Sequence, residues 1–424
     1  MENCPANPFD FVNPISDSRF FAGRRNELAE AEYYLKLATH QRPVHCAVTG
    51  RRAAGKTSFL NLLQKKAEEI GILAARVDLT PDAVESELNF FLNVFEAVLS
   101  AGQARHVLYS NFFDKFYLAF RQAVDMLAPP CSFDLLPLVF PFQYAFAKAR
   151  GNDRAPVSQP VLACDLKQIL LEARRHEVPA IVLLFDESDL FADNPNLLSK
   201  LRNLFTQVPG YMLVFSGTLK MFPLINDRFS PIVRQFRRIE LRPFETEQET
   251  LECILEPLVV YGQAEKFDLS VLPEIHSITG GEPYEIRLIC HFMYKHFQEK
   301  GLASISLSHE VLEDVFAQLE RLHSDERERF LRSIRGLPSA SLNMLQKLAI
   351  SSPLSLIEMA NGRGESAAHD RSLALQQLIT SAQDLAERSL ITLDGKRVLA
   401  VFNHDGFDRV YLKFLLRARL EEEH

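Results

Sequence analysis

The chain has no tryptophan, only six cysteines in 424 residues, and no apolar run near the roughly 20 residues that a membrane helix needs. The last absence argues against a membrane-embedded protein. The cysteines (Cys4, Cys46, Cys131, Cys164, Cys253 and Cys290) are far apart and form no C-x-x-C pair. Neither a disulfide framework nor a zinc site is expected, and a reducing, cytoplasmic setting is. Positive charge is scarce as well: 47 Lys and Arg stand against 55 Asp and Glu, for a net charge of -8. With the acids dispersed, no large basic field is available, so any nucleic-acid contact must be local. Residues 1–11 lack the basic region and apolar core of a secretory signal. Phenylalanine, by contrast, is plentiful at 32 residues, in a chain 47% hydrophobic and 24% charged. That balance describes globular domains with aromatic cores, and the length suits two or three of them.

The pattern along the chain alternates. Residues 7–15, NPFDFVNPI, read as an extended arm because prolines interrupt any helix. Apolar runs at 43–48, 72–79, 180–185, 211–215 and 238–241 predict five buried strands. Helical periodicity at 27–38, 56–70 and 84–99 fills the gaps. Such alternation implies a parallel sheet covered on both faces. About a hundred residues separate the second and third strands, more than a crossover needs, so a helical insertion is expected at about 103–160. Its aromatic heart, 111–149, is read as helices packed on the domain, with a partner-docking surface as the other reading. Beyond Pro243, stretches 245–261, 269–278, 283–298 and 309–322 predict four helices. Later, 339–349, 354–360 and 371–388 predict three more, followed by two strand-like runs around a turn at Asp394-Gly395. No internal repeat is present.

Two motifs carry chemistry. Gly50-Arg51-Arg52-Ala53-Ala54-Gly55-Lys56-Thr57 matches G-x-x-x-x-G-K-[ST], with a strand before it and a helix after it. In such a loop the amide groups cradle phosphate oxygens, aided by the positive end of the helix. Gly50, Ala53, Ala54, Gly55, Lys56, Thr57 and Ser58 are therefore expected to hold a nucleotide. Lys56 reaches the β and γ phosphates, and Thr57 ligates Mg²⁺. The second motif is the strand IVLLF ending in Asp186-Glu187. Asp186 is expected to hold the hydrated magnesium and Glu187 to polarise the attacking water, so ATP hydrolysis is predicted. Asp189 is read as a structural neighbour. At the end of the fourth strand, Ser216, with Thr218 as the alternative, is a candidate for positioning water, although Ser-Gly-Thr is also ordinary turn chemistry. Arg228 and Arg234 are candidates for stabilising transition-state charge on a neighbouring copy's nucleotide, or else surface residues.

The segment Phe21-Ala22-Gly23-Arg24-Arg25-Asn26-Glu27-Leu28 resembles the F-x-G-R-x-x-E-L box of AAA+ ATPases of the origin-recognition-like group and of the related STAND signalling ATPases. The resemblance covers nearly the whole chain. It implies an α/β fold: a P-loop NTPase parallel sheet of AAA+ type in residues 1–242, arm included, then a helical lid (243–335) and a winged-helix domain (336–424). It further implies that Phe21, Gly23 and Arg24 line an adenine pocket. Thr279-Gly280-Gly281-Glu282-Pro283-Tyr284 is similar to the motif opening the lid's sensor helix, which implies nucleotide contact through Pro283. Where many relatives carry arginine this chain has Tyr284, and its nearest arginine is Arg287. Self-association is implied by the family's habit of assembling around ATP.

Two roles follow. One is a nucleotide-driven switch acting on a protein effector or regulator, in signalling or defence. It draws support from charge: residues 336–424 hold 10 Lys plus Arg against 11 Asp plus Glu, and 372–388 contain one basic residue. The other is a DNA-bound replication-initiator or transposition-regulator ATPase, with Lys396 and Arg397 at a wing touching phosphates.

Overall fold

Five apolar runs rich in Val, Ile, Leu and Phe become the strands of one parallel sheet, because such side chains tolerate burial on both faces. The computed structural model describes residues 7–105, 159–218, 221, 236–322, 332–350, 354–361, 368–388, 390–394 and 399–402. The aromatic segment 111–149, Arg228, Arg234, Lys396 and Arg397 lie outside them. The strands are β1 (His45–Gly50), β2 (Leu73–Val77), β3 (Ile181–Phe185), β4 (Tyr211–Gly217) and β5 (Phe236–Leu241). They lie in the order β2-β3-β4-β1-β5, and every pairing is parallel. The fold class is α/β, as expected.

Six described helices cover this sheet: α1 (Arg25–Thr39), α2 (Lys56–Glu69), α3 (Pro81–Glu85), α4 (Glu87–Ala104), α5 (Gln159–Arg175) and α6 (Pro195–Gln207). Alternation along the strands sorts the core into two layers. Cys46, Val48, Ala74, Val182, Leu184, Met212 and Val214 pack with Leu35, Phe59 and Leu63 of α1 and α2. Ala47, Ala75, Val77, Leu183, Phe185 and Phe215 pack with α4, α5 and α6. The phenylalanines concentrate in that second layer. Phe90, Phe185, Phe215 and Phe236 stack in succession at centroid distances of 6.2, 5.1 and 5.7 Å, with Phe191 edge-on to the first three. Ala47, opposite Phe215 in the register, is small enough to let the row cross β1. β5 closes the sheet, and its exposed Arg237 and Arg238 discourage a further strand from pairing there.

The chain divides into two compact units, Pro14–Arg242 and a second made of Met1–Asn13 with Pro243–His424. The arm thus groups with the C-terminal part rather than with the α/β domain in which the sequence had placed it. The second unit contains α7 (Glu247–Val260), α8 (Leu272–Thr279), α9 (Pro283–Lys300), α10 (His309–Leu322), α11 (Ser339–Ile350), α12 (Leu356–Asn361) and α13 (Ala368–Glu387). Thr246 and Glu249 start α7 with a reciprocal capping box, the side chain of each bonding the other's backbone N–H. Strands β6 (Leu354–Ser355), β7 (Ile391–Asp394) and β8 (Leu399–Phe402) form a small antiparallel sheet in the order β6-β8-β7. Leu345, Leu348, Leu378, Ala382 and Leu385 make the core between α11 and α13.

The arm is fastened to α9. Asn7 Nδ2 donates to the His291 carbonyl at 2.9 Å, and His291 Nδ1 lies 2.8 Å from the Phe9 carbonyl. Phe9 is 1% exposed and meets Tyr294 edge-on, while Phe11 does the same to His291 and Tyr284. Alternating prolines and aromatics in the arm therefore serve as spacers and anchors.

His45 gives the sheet a pH signature. Its Nδ1 accepts the Leu213 N–H at 3.0 Å, so the ring is the neutral tautomer, and burial lowers its pKa from 6.5 to about 4. The unfolded chain takes up this proton first, so stability should be lost as pH falls from 6.5 towards 4 and not beyond on this account. Urea midpoints measured across that window should fall more steeply for the native chain than for His45→Gln, whose amide oxygen can still accept from Leu213.

Candidate functional site

All five parallel strands end at the same edge of the sheet, and that edge is where α/β folds place their chemistry. β4 lies between β1 and β3, so three loop starts stand side by side there: Gly50, Asp186 and Gly217. From Gly50 the chain turns through the glycine-rich loop into α2. Ala53 (φ 62°) and Gly55 (φ 87°) adopt left-handed conformations, which turn successive amides of a tight loop towards one side and make an anion-binding nest. Gly50 is required for a different reason, because a Cβ there would lie 2.9 Å from the Leu241 carbonyl oxygen on β5. Ala54 is buried against the α1–α2 layer and anchors the loop.

Lys56 Nζ donates to the carbonyls of Gly50 at 3.2 Å and Arg51 at 2.7 Å, curling back over the loop. Thr57 Oγ1 donates to Asp186 Oδ2 at 2.9 Å. The two motifs read separately in the sequence thus meet at one hydrogen bond. Asp186 Oδ1 accepts the Glu187 N–H at 3.1 Å, which orients the carboxylate. Glu187 is exposed and left-handed at φ 51°, a strain on the order of 1 kcal/mol for a residue with a Cβ. The turn is held by Ser188 Oγ donating to the Phe185 carbonyl and by Leu190 N donating to that of Glu187.

Arg76, next to the carboxyl end of β2, was overlooked in the sequence reading. Its Nη2 lies 2.5 Å from Asp186 Oδ2, the oxygen that also accepts from Thr57. Its Nη1 donates to Asn61 Oδ1 of α2 at 3.3 Å. The available signal was an arginine inside an apolar strand, where a charge needs a partner.

Ser216 and Thr218 prove different. Ser216 is fully buried, shares the α2-facing side of the sheet with Val214, and its Oγ has no hydrogen-bond partner among the described residues. Thr218 is committed to Asp189, its N–H and hydroxyl donating to the two carboxylate oxygens at 2.7 and 2.6 Å. Asp189 is therefore a clamp on the strand end. The hydroxyl of Ser58 accepts the Ile15 N–H at 2.9 Å, and Asn61 Nδ2 donates to the Ile15 carbonyl at 3.1 Å.

Gly23 and Arg24 are both left-handed and form the turn into α1, with Arg24 buried and its Nη1 3.5 Å from Glu27. Phe21 packs partly against the α1–α2 layer, its ring 6.4 Å from that of Phe59. In the second unit Pro283 is the first residue of α9, and the Gly281 carbonyl before it accepts the Phe244 N–H at 2.8 Å. Among the described residues no three carboxylate, imidazole or thiol groups converge as a metal site made of side chains alone. No described helix is long and apolar enough to cross a membrane.

No family model matches the chain. A Methanocaldococcus jannaschii protein described as an uncharacterised HTH-type transcriptional regulator is 23% identical over 309 residues, 70% of this chain and 69% of its own. Among solved structures, the Aeropyrum pernix ORC1 protein in complex with DNA is similar at TM-score 0.41 and 13% identity, over 98% of both chains. A RuvB variant from Thermotoga maritima is similar at 0.40 and 13%, over 92% of this chain and 96% of its own. AMPPCP-bound DnaA from Aquifex aeolicus is similar at 0.39 and 14%, over 90% and 94%. At TM-scores of 0.41, 0.40 and 0.39 the three structural likenesses carry no functional argument.

The two loop glycines should respond differently to a methyl group. Gly55→Ala meets nothing within 4 Å and should cost only the left-handed backbone, on the order of 1 kcal/mol. Gly50→Ala must push β1 from β5 and should cost clearly more by urea unfolding. The reverse order would contradict the close approach at Leu241.

Proposed function

We propose that this chain is an ATP-binding and ATP-hydrolysing switch of AAA+ type that acts on protein partners, in a signalling or defence setting. The observation that supports it most is the Thr57–Asp186 hydrogen bond at the strand edge, beside a loop with the backbone of an anion nest. In this reading the loop amides and Lys56 take the phosphates, Lys56 exchanging its carbonyl partners for phosphate oxygens. A hydroxyl and a carboxylate oxygen are hard donors that suit Mg²⁺, which draws its other ligands from phosphates and water, so Thr57 and Asp186 would hold it. When bound, the metal supplies charge neutralisation at the phosphates. Glu187 accepts a proton from the attacking water, and Ser216, with a hydroxyl free of described partners, orients it. Phe21, Gly23 and Arg24 serve the base, and Arg228 or Arg234 a neighbouring copy in a self-assembled form.

The choice of a protein partner rests on charge, since residues 336–424 are near neutral and 372–388 carry a single basic residue. A second reading, DNA binding, is favoured by the described helix-turn-helix character of the M. jannaschii relative and by the three helices and small sheet of residues 339–402. Lys396 and Arg397 would then meet phosphates.

Lys56→Ala should abolish binding of a fluorescent ADP, whereas Glu187→Gln should bind normally and lose phosphate release by about a hundredfold or more. Wild-type turnover in Glu187→Gln would remove that residue from the mechanism. Double-stranded DNA, added at near-physiological salt, should leave turnover unchanged. Stimulation that is lost with Lys396→Ala and Arg397→Ala would favour the DNA reading.

A further inference from the structure

Resting on the reading of Thr57 and Asp186 as magnesium ligands, we propose that Arg76 is a resident counter-cation. It holds the Asp186 oxygen that the metal would use and must release it before a divalent cation can bind. Three features place it there. By register Arg76 lies opposite Leu184, and strand alternation puts Ala74, Arg76, Leu184 and Asp186 on the face covered by α2. The guanidinium takes the oxygen already hydrogen-bonded to Thr57, so it competes for the same atom that the proposed metal would use. The pair is largely shielded, at 21% and 13% side-chain exposure, so neither charge is neutralised by water alone.

A guanidinium and a divalent cation cannot share one carboxylate oxygen without like-charge repulsion at short range. The apparent metal affinity is then lowered by the fraction of molecules in which Arg76 holds Asp186. Asn61 offers the displaced group somewhere to stay. Its Oδ1 already accepts from Nη1, so rotation about that contact frees Asp186 without stranding the charge. Because the Asn61 amide also holds the Ile15 carbonyl, the exchange is felt where the chain enters the α/β unit.

The test is Mn²⁺ binding to the full-length protein in the presence of ADP, followed by electron paramagnetic resonance. Mn²⁺ accepts the same oxygen ligands and reports binding without turnover. Arg76→Gln should bind Mn²⁺ about tenfold or more tightly than the native chain, while Arg76→Lys, which restores the charge, should return towards the native value. Arg76→Met serves as the uncharged variant of similar bulk if the glutamine variant does not fold. Weaker Mn²⁺ binding in the uncharged variants would make Arg76 an aid to the metal and overturn the proposal. Equal affinities for the lysine and uncharged variants would overturn it as well. Asp186→Asn separates the two levels: if it leaves Mn²⁺ binding intact, the metal-site reading itself fails. If it abolishes binding while the uncharged variants match the native chain, only the role of Arg76 does.

Discussion

Burial of β1 on both faces and pairing along both edges is the constraint from which the site follows. All six residues of β1 are buried, and its neighbours β4 and β5 run in the same direction. A strand so enclosed leaves its loop one way out, at the carboxyl edge, between α2 and the end of β5. Gly50 sits at that exit because the Leu241 carbonyl leaves no room for a side chain. The row of stacked phenylalanines behind β3 and β4 makes the same edge stiff from below. Asp186 and Ser216 are thus carried on elements that have little freedom to move, and the freedom that remains is in side chains such as Lys56 and Arg76.

What could be read in the sequence was whatever is encoded locally. The strand cores and the glycine-lysine loop depend on residue type over fewer than ten positions, and the five strands appear within two residues of where the apolar runs predict them. Asp186 was recognisable because a strand ends immediately before it. Arg76 was not, because nothing in ILAARVDL names the carboxylate it faces; that follows from the register of β2 on β3. Thr218 competed with Ser216 on paper for the same reason, since the Asp189 clamp joins residues 29 apart. The arm was legible as extended chain, yet its partner α9 lies more than 280 residues away. Composition gave no hint of that pairing.

Strain and electrostatics share the work at the edge. Glu187 holds a left-handed backbone that the Ser188 and Leu190 hydrogen bonds maintain, and it is exposed just beyond the strand that delivers it. Its neighbour Asp186 has the opposite treatment, being drawn inward by Thr57, Arg76 and a backbone amide. Two consecutive carboxylates therefore meet different surroundings, one exposed and one largely shielded.

The arm on α9 has a consequence for how the molecule is made. Its anchors leave the ribosome long before the helix that receives them, more than 280 residues further along the chain. At a synthesis rate of about 5 to 20 residues per second, Phe9 waits on the order of tens of seconds before Tyr294 exists. Through that interval Phe9 and Phe11 have no completed surface to cover. Asp10 offsets part of the exposure: its carboxylate binds the Val12 and Asn13 amides and the Asn13 side chain, a turn that needs no distant partner. A segment whose partner is made so much later thus carries its own small piece of structure, and the growing chain keeps these two aromatic residues on a preformed bend.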